Sequence, residues 1–467
     1  MLGADTSGCG VSCGSGGGSS SGSILDDTQA EFNAGVHSNT QWDNTNFWLE
    51  LTSAGQSAGL GSYNSSIKDA VNTSTSWVTL AWTPQRPLYK ELPNNRASEG
   101  GYSAGNVNMN GNVLLMHLNE TNGTIMDSSG LGNNGIANGG PTYGVSGKLN
   151  TALSFDGVND YLRVNSVSIS GSLTYMAWIY SNTFQAAYRR IISVSRNPDY
   201  SGGRVLEFDS LANNRLNMGV VNDSGVNYHA SYSGLSANTW YHVVGVLDAA
   251  NNVIRIYLNG VEVSNTNIAG TFNTALSGLR IGSRFDANEF FWNGRIDEAA
   301  VFSRALGATE ISDIYRRGAL GLRYQVRSCD DSACSGETFA GPGGSISAFY
   351  SELSNTTAGL PSLSLSNVSN NRYFQYQVTL ETDNTSYSPE VKSISISNNI
   401  SGGSSEVLQG SCLDLSTILS SQLPTIPQDP SVGSSGKSYY AIRRQSSGQI
   451  NVNSCSAEGG ENINAAK

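Results

Sequence analysis

Residues 113–317 carry a series of short strand and turn patterns, and this series restricts the possible folds more than any other feature of the chain. Apolar residues alternate along residues 254–258 up to Asn259-Gly260, and Val261 and Val263 follow. An Asn-Gly pair between alternating runs is the strongest short-range signal of a β-hairpin. The series therefore predicts antiparallel β-structure. In chain order its members are Val113–Glu120, Asp127–Gly135, Ser154–Tyr161, Asn238–Val244, Ile256–Gly260, Gly294–Glu298 and Ser303–Leu306.

In this order, the patterns resemble the laminin G-like domain, a jelly roll of the concanavalin A type. The resemblance covers residues 113–317, a little under half of the chain. It implies that this part of the chain is a β-sandwich. It also implies binding, because domains of this kind mostly bind glycans or proteins. A short helix is expected over residues 309–317, where Ile311, Ile314 and Tyr315 form one apolar stripe.

The same resemblance implies a calcium ion where the Asp-x-Ser-Gly loop meets the Gly-x-Ile-Asp-Glu strand. Asp127 and Asp297 are then the expected carboxylate ligands, and loop carbonyls or Asn133 and Asn134 complete the shell. Calcium accepts six to eight oxygen ligands of these mixed types. The alternative is structural: Asp127 caps its own turn and Asp297 binds backbone amides.

The flanking segments predict a second antiparallel β-sandwich. In Trp77–Trp82 the alternation assigns Val78, Leu80 and Trp82 to one face, and similar runs occur at Leu322–Arg327 and Phe374–Leu380. Neither flank alone has enough strands for a sandwich. We therefore expect residues 24–112 and 320–398 to form one sandwich into which the jelly roll of residues 113–317 is inserted, which makes the chain all-β. Separate domains in series are the alternative.

The two ends of the chain differ from this core. Residues 1–23 are a Gly/Ser-rich linker, and residues 399–411 form another polar linker. The region 412–467 loosely resembles the small disulfide-closed C-terminal end of some bacterial type IV pilin-like proteins. This resemblance departs from the family because the hydrophobic N-terminal helix of pilins is absent from the sequence.

The cysteines favour disulfides and an oxidising compartment. Six cysteines fall into three groups: Cys9 with Cys13, Cys329 with Cys334, and Cys412 with Cys455. A zinc site is the competing interpretation, but no histidine lies near any of the groups in the sequence. We expect disulfides in the last two groups, whereas Cys9 and Cys13 could be unpaired. The chain is accordingly expected to be extracellular or on the cell surface.

The charge balance excludes two classes of partner. The net charge is −11 and the pI is about 4.9, so nucleic-acid phosphates and anionic lipids are repelled. The sequence also contains no run near the ~20 apolar residues that a membrane-spanning helix needs. We therefore expect neither nucleic-acid binding nor membrane insertion by this chain.

Catalysis is not expected. Glycoside hydrolysis needs two carboxyl groups facing one cleft, and β-glucanases of this fold type supply them from a Glu-x-Asp-x-x-Glu pattern. Asp297 and Glu298 are adjacent, so strict strand alternation would direct them to opposite faces. The sequence also lacks a nucleophile elbow, a zinc-protease motif and a phosphate loop.

A ligand rim is predicted just before the Gly294–Glu298 strand. It consists of Asp286, Glu289, Phe290 and Trp292, because aromatic faces beside carboxylates suit the CH face and the hydroxyls of a sugar. The alternative is that Phe291 and Trp292 close the end of the sandwich. Tyr188–Arg190 and Tyr228-His229 are weaker candidates for the same or another loop.

These observations favour an adhesin-like protein that binds a glycan or glycoprotein through a calcium-ordered laminin G-like domain. Two alternatives stay open: a structural subunit of a pilin-like appendage, which would assemble as a homopolymer, and an accessory region of an enzyme encoded outside this chain.

Overall fold

The structure is a computed structural model that describes residues 20–73, 75–184, 188–194, 203–209, 214–285, 289–355, 357–400, 440–444 and 450–454. Residues Ser21–Asn399 form one compact unit. In the second unit the structure describes an antiparallel hairpin of β27 (Tyr440–Arg444) and β28 (Ile450–Ser454). Cys9, Cys13, Cys412 and Cys455 lie outside the described residues, so the Cys412–Cys455 disulfide stays a prediction.

Two antiparallel sheets from both flanks of the chain form a sandwich, here called the host sandwich. Its six-stranded sheet contains β1 (Ser20–Asp26), β3 (Thr40–Asp43), β4 (Trp48–Leu51), β7 (Thr75–Pro84), β24 (Ser362–Ser364) and β26 (Val391–Ile400). Its five-stranded sheet contains β2 (Val36–Ser38), β5 (Leu60–Asn64), β6 (Lys68–Asp69), β23 (Leu320–Cys329) and β25 (Tyr373–Thr382). Two short helices, α1 (Gln29–Asn33) and α2 (Ser53–Ala58), connect its first strands.

The predicted alternation in the host sandwich is confirmed in β23 and β25 and fails in β7. Leu322, Tyr324 and Val326 of β23 all lie in the core between the two sheets. In β7 the buried positions shift between Trp77 and Leu80, so Trp77 enters the core and Val78 does not. The prediction that Val78 shares one face with Leu80 and Trp82 was therefore wrong, because this strand does not alternate without interruption.

The jelly roll consists of two larger antiparallel sheets around one core. The eight-stranded sheet contains β8 (Asn112–Met116), β10 (Thr142–Ser146), β11 (Thr151–Asp156), β13 (Leu173–Ser181), β18 (Trp240–Asp248), β19 (Val253–Leu258), β20 (Val261–Asn267) and β22 (Asn293–Phe302). The seven-stranded sheet contains β9 (Gly135–Asn138), β12 (Tyr161–Ile169), β14 (Arg189–Val194), β15 (Arg204–Phe208), β16 (Leu216–Val221), β17 (Asn227–Tyr232) and β21 (Leu276–Ile281). The all-β prediction is confirmed.

The predicted hairpin is present as β19 and β20. Asn259 and Gly260 both have positive φ angles, 50° and 80°, which a two-residue hairpin turn of this type requires. Leu258 pairs with Val261 directly beside the turn.

The jelly roll is inserted into the host sandwich, as predicted. β7 of the host ends at Pro84, and residues 85–111, here called the connector, lead to β8. The connector includes a 3-10 turn at Asn94–Arg96, and two others occur at Pro342–Gly344 and Glu352–Ser354. After β22, helix α3 (Ala308–Ala319) leads directly into β23 of the host.

The connector and α3 pack on the outer surface of the eight-stranded sheet, where the two sandwiches meet. Leu92 and Met109 of the connector join Ile311 and Ile314 of α3 in an apolar cluster with Phe302. The Arg317 side chain is 2% exposed and donates to the carbonyl oxygens of Lys90 and Glu91 and to both carboxylate oxygens of Glu99.

Two further expectations can be compared with the structure. Cys329 and Cys334 form a disulfide across five residues, as predicted. Among the described residues, no helix is both long and apolar enough to cross a membrane.

Candidate functional site

Polar side chains form a row across the seven-stranded sheet, on the face turned away from the jelly-roll core. Alternate residues of β15 and β16, such as Leu206 and Met218, enter the core. Their neighbours Glu207 and Asn217 therefore face outward. Arg190, Glu207, Asn217 and Ser231 are direct cross-strand partners on four adjacent strands. This set, together with His229, is here called the polar row.

The polar row is held together by its own contacts. Arg190 forms an ion pair with Glu207, and Asn217 Nδ2 donates to Glu207 Oε1 over 3.1 Å. Ser231 Oγ donates to Asn217 Oδ1 over 3.0 Å, and His229 Nδ1 lies 3.1 Å from Asn217 Nδ2. Burial raises the pKa of Glu207, and the Arg190 guanidinium opposes that rise. Glu207 and Asn217 are each only 2% exposed, so the row presents mainly His229 and Ser231 at the surface and holds them in fixed positions from below.

Aromatic rings lie beside the polar row. The half-buried rings of Tyr188 and Phe290 lie with their centroids 4.9 Å apart. The guanidinium groups of Arg190 and Arg284 lie 5.3 and 5.2 Å from the Phe290 ring centroid, within reach of cation–π attraction. Phe290 has a φ of 65°, which a bulky residue seldom adopts. This strained backbone holds its ring near the sheet surface.

The four predicted rim residues do not lie together on one surface of the structure. Glu289 is exposed and forms an ion pair with Arg284, next to Phe290. Trp292 is only 1% exposed and packs in the jelly-roll core, 5.8 Å from Phe208 between ring centroids. Trp292 is therefore a core residue that closes the sandwich, and its assignment to the rim was wrong. Asp286 lies outside the described residues.

In the predicted calcium loop, backbone amides already occupy the carboxylate oxygens of Asp127 with hydrogen bonds. The Asp127 carboxylate accepts hydrogen bonds from the amides of Leu115, Ser129 and Asn133 and from Ser129 Oγ. The side-chain Nδ2 of Asn133 donates to Val113 O, and Asn134 Oδ1 accepts from the backbone amide of Asp127. Both Asp127 oxygens are thus engaged, so Asp127, Asn133 and Asn134 fit the turn-capping alternative better than a calcium shell. Calcium stays a prediction.

Asp297 and Glu298 face the same side of β22, contrary to the expectation from strict alternation. Ile296 and Ala299 both enter the jelly-roll core, and the pairing with β13 is irregular between them. Glu298 has a φ of 48° at this β-bulge. Because the bulge adds one residue to the strand, both acidic side chains lie on the outer side, under the connector.

Three groups meet at this point. His117 Nδ1 lies 2.5 Å from Glu298 Oε1 and 3.8 Å from Glu91 Oε2. Burial lowers the pKa of His117, but Glu298 and Glu91 more than compensate and raise it to about 9. Burial and Glu298 raise the pKa of Glu91 and of Asp297. Glu91, His117 and Glu298 are here called the connector cluster.

Sequence reasoning missed two parts of these sites. Glu207 in β15 and Asp209, just after this strand, form a Glu-x-Asp pair. Glu207 forms an ion pair with Arg190, and Asp209 forms one with Arg215. The connector cluster has no local signal, because Glu91 and Glu298 are 207 residues apart in the sequence. Tyr188–Arg190 and His229 were weaker candidates, and the structure places them together at the polar row.

The match to one protein family agrees with the jelly-roll fold. Residues 156–312 match the sequence profile of the concanavalin A-like lectin/glucanases superfamily. No curated protein matches the chain. The chain is also similar to the binding domain of botulinum neurotoxin serotype G, with 14% identity and a TM-score of 0.37 over 46% of this chain and 56% of that one.

Two other solved structures show a comparable likeness. The binding domain of Paraclostridial mosquitocidal protein 1 has 16% identity and a TM-score of 0.37, over 48% of this chain and 62% of that one. The binding domain of botulinum neurotoxin DC in complex with SialylT has 13% identity and a TM-score of 0.36, over 47% and 57%. The chain therefore spans less than two thirds of the length of these structures.

Proposed function

We propose, from the domain of the concanavalin A-like lectin/glucanase superfamily at residues 156–312, that this chain is an extracellular or surface-displayed protein that binds a glycan or glycoprotein. The binding surface is the outer face of the seven-stranded sheet, at the polar row and the adjoining rings of Tyr188 and Phe290. The observation that carries the proposal is this pairing of fixed hydrogen-bonding groups with accessible aromatic rings.

The chemistry of the surface suits a sugar. A pyranose ring has an apolar CH face that stacks on aromatic rings, and hydroxyls that both donate and accept hydrogen bonds. Phe290 and Tyr188 supply the rings, and exposed His229 with half-exposed Ser231 supply polar groups. Since Asn217 is already held on both sides by Glu207 and Ser231, the surface needs little reordering on binding.

Binding without hydrolysis is part of the proposal. Glu207 and Asp209 are the acidic pair on this face, and a glycosidase would need one of them as an acid and the other as a base or nucleophile. Arg190 and Arg215 hold these carboxylates in ion pairs. Because an arginine already engages each carboxylate, we propose that neither of them acts on a bound sugar.

A glycan array of the purified chain tests the proposed function. We expect selective binding to a limited set of glycans, with no release of shortened products from the bound ligands. Absence of glycan binding both with calcium and with chelator would contradict the proposal. Product release would contradict its non-catalytic part.

A further inference from the structure

The connector cluster has the composition and arrangement of a metal site. The potential ligand atoms of Glu91, His117 and Glu298 all lie within 4.8 Å of one another. The side chains of His117 and Glu298 are buried, with exposures of 10% and 5%. In a tetrahedral zinc site the ligand atoms are ~3.3 Å apart, since each lies ~2.0 Å from the ion. Small side-chain shifts would therefore bring these atoms to coordinating positions.

A third carboxylate, beside the cluster, provides an independent observation. Asp297 is fully buried, and the β-bulge at Glu298 places it on the same side of β22 as the cluster. Its Oδ2 accepts from the amides of Lys148 and Leu149, whereas its Oδ1 has no hydrogen-bond partner among the described residues. A buried carboxylate oxygen without a partner is costly, and a cation would relieve that cost.

The neighbouring groups orient each ligand as a metal site requires. His117 Nε2 lies 2.7 Å from Asn94 Oδ1, so its N–H can donate there, and a metal ion at Nδ1 would displace the proton that Nδ1 shares with Glu298. Asn119 Nδ2 donates to Glu91 Oε1 and leaves Oε2 toward the cluster. The Leu92 amide donates to Glu298 Oε2 over 3.4 Å. In known metal sites, hydrogen bonds of this kind hold the metal-binding side chains in their orientation.

We propose that Glu91, His117 and Glu298 bind one divalent transition-metal ion of the zinc or manganese class, with buried Asp297 beside them on β22. Imidazole nitrogen with carboxylates is a ligand set for such ions, whereas calcium takes oxygen ligands. Arg317 does not neutralise the cluster, because its guanidinium is committed to Glu99 and to backbone carbonyls. The ion links the connector to the jelly roll and does not depend on the proposed glycan binding.

Metal titration of the whole chain tests this inference. Tag-free protein is dialysed against EDTA and titrated separately with Zn²⁺, Mn²⁺ and Ca²⁺ by calorimetry, and Tm is measured with each ion. We expect one Zn²⁺ or Mn²⁺ per chain and a higher Tm, since an ion that binds only the folded state stabilises it. No stoichiometric binding of either ion, or binding of Ca²⁺ alone, would overturn the inference.

Variants assign the site to its residues. His117→Gln should abolish the stoichiometric binding, and Asn94→Ala should weaken it about tenfold through the lost orientation of His117. His37→Gln is the matched control, because His37 is a histidine of β2 in the host sandwich and this variant should bind the metal like the wild type. If His117→Gln fails to fold, the visible spectrum of the Co²⁺-loaded wild type reports the coordination geometry of the ion, and Glu91→Gln on the connector should change that spectrum. Unchanged metal binding in His117→Gln, Asn94→Ala and Glu91→Gln would contradict the site.

Discussion

At the scale of single residues, backbone conformation decides which side chains can meet. Glu298 occupies the left-handed region with a φ of 48°, at a cost of about 1–2 kcal/mol for a residue with a Cβ. The bulge that this conformation forms moves Glu298 to the side of Asp297 and under the connector. A bulge depends on the partner strand as well as on local sequence, so alternation alone assigned these two residues to opposite faces.

The same limit applies to Trp292. Its position close to Phe290 suggested an exposed ring. The sequence does not show, however, which side chains point into the core just before a strand begins. The exposed or half-buried members of the predicted rim, Glu289 and Phe290, do lie near the polar row.

Trp292→Ala should destabilise the protein rather than remove a single ligand contact. Because removal of the buried ring leaves a cavity in the jelly-roll core, the free energy of unfolding should fall by about 3–5 kcal/mol. Urea denaturation followed by circular dichroism measures this loss. Phe47→Ala serves as the control, because Phe47 is 60% exposed. A loss for Trp292→Ala no larger than that of the control would contradict the core assignment.

At the scale of elements, local turn chemistry and apolar periodicity were sufficient for much of the fold. The β19–β20 hairpin follows from Asn259-Gly260, and α3 follows from the stripe of Ile311, Ile314 and Tyr315, which are all buried. Each of these two signals spans only a few consecutive residues of the sequence. The polar row could not be predicted in the same way, since its members come from four strands whose register only the folded sheet defines.

Gly260→Ala should cost more stability than Gly144→Ala. Both glycines have positive φ angles, 80° and 67°, so both substitutions strain the backbone. An added Cβ at Gly260 would lie 3.0 Å from Tyr315 Cδ1 of α3, whereas no atom lies within 4 Å at Gly144. We expect a difference of about 1 kcal/mol or more in unfolding free energy, measured by urea denaturation. Equal losses would show that α3 does not pack on the turn.

At the scale of the whole molecule, the insertion brings distant segments together. It was predicted because the patterns of each flank indicated too few strands for a sandwich. The structure shows that residues 20–84 supply seven strands, β1 to β7, and that strands from both flanks share each of the two host sheets. The interface between the sandwiches could not be predicted, since the connector residues Glu91 and Asn94 meet His117 and Glu298 only after both sandwiches have folded.

Burial at this interface predicts a pH dependence of stability. Glu352 is 1% exposed, and burial raises its pKa to about 7, although Tyr102 donates a hydrogen bond to it. The unfolded chain loses this proton near pH 4.5 and the folded chain only near pH 7. The stability contributed by the protonated group is therefore complete below pH 4.5 and is lost as the pH rises to 7, by up to about 3 kcal/mol.

Glu352→Gln isolates this contribution. The variant removes the titration, so unfolding free energies measured from pH 4.5 to 8 should decline less steeply than in the wild type. Glu289→Gln changes an exposed carboxylate and should keep the wild-type profile. A Glu352→Gln profile as steep as that of the wild type would contradict the assignment.

The central claim is that the outer face of the seven-stranded sheet binds a glycan, and the most direct test compares two matched phenylalanine variants. Phe290 and Phe47 both have left-handed φ angles, 65° and 61°, but Phe290 borders the polar row and Phe47 belongs to the host sandwich. With the best ligand from the array, calorimetry should show that Phe290→Ala weakens binding about fivefold to tenfold, the loss of one stacking contact, while Phe47→Ala binds like the wild type. Equal affinities for Phe290→Ala and the wild type would contradict the claim.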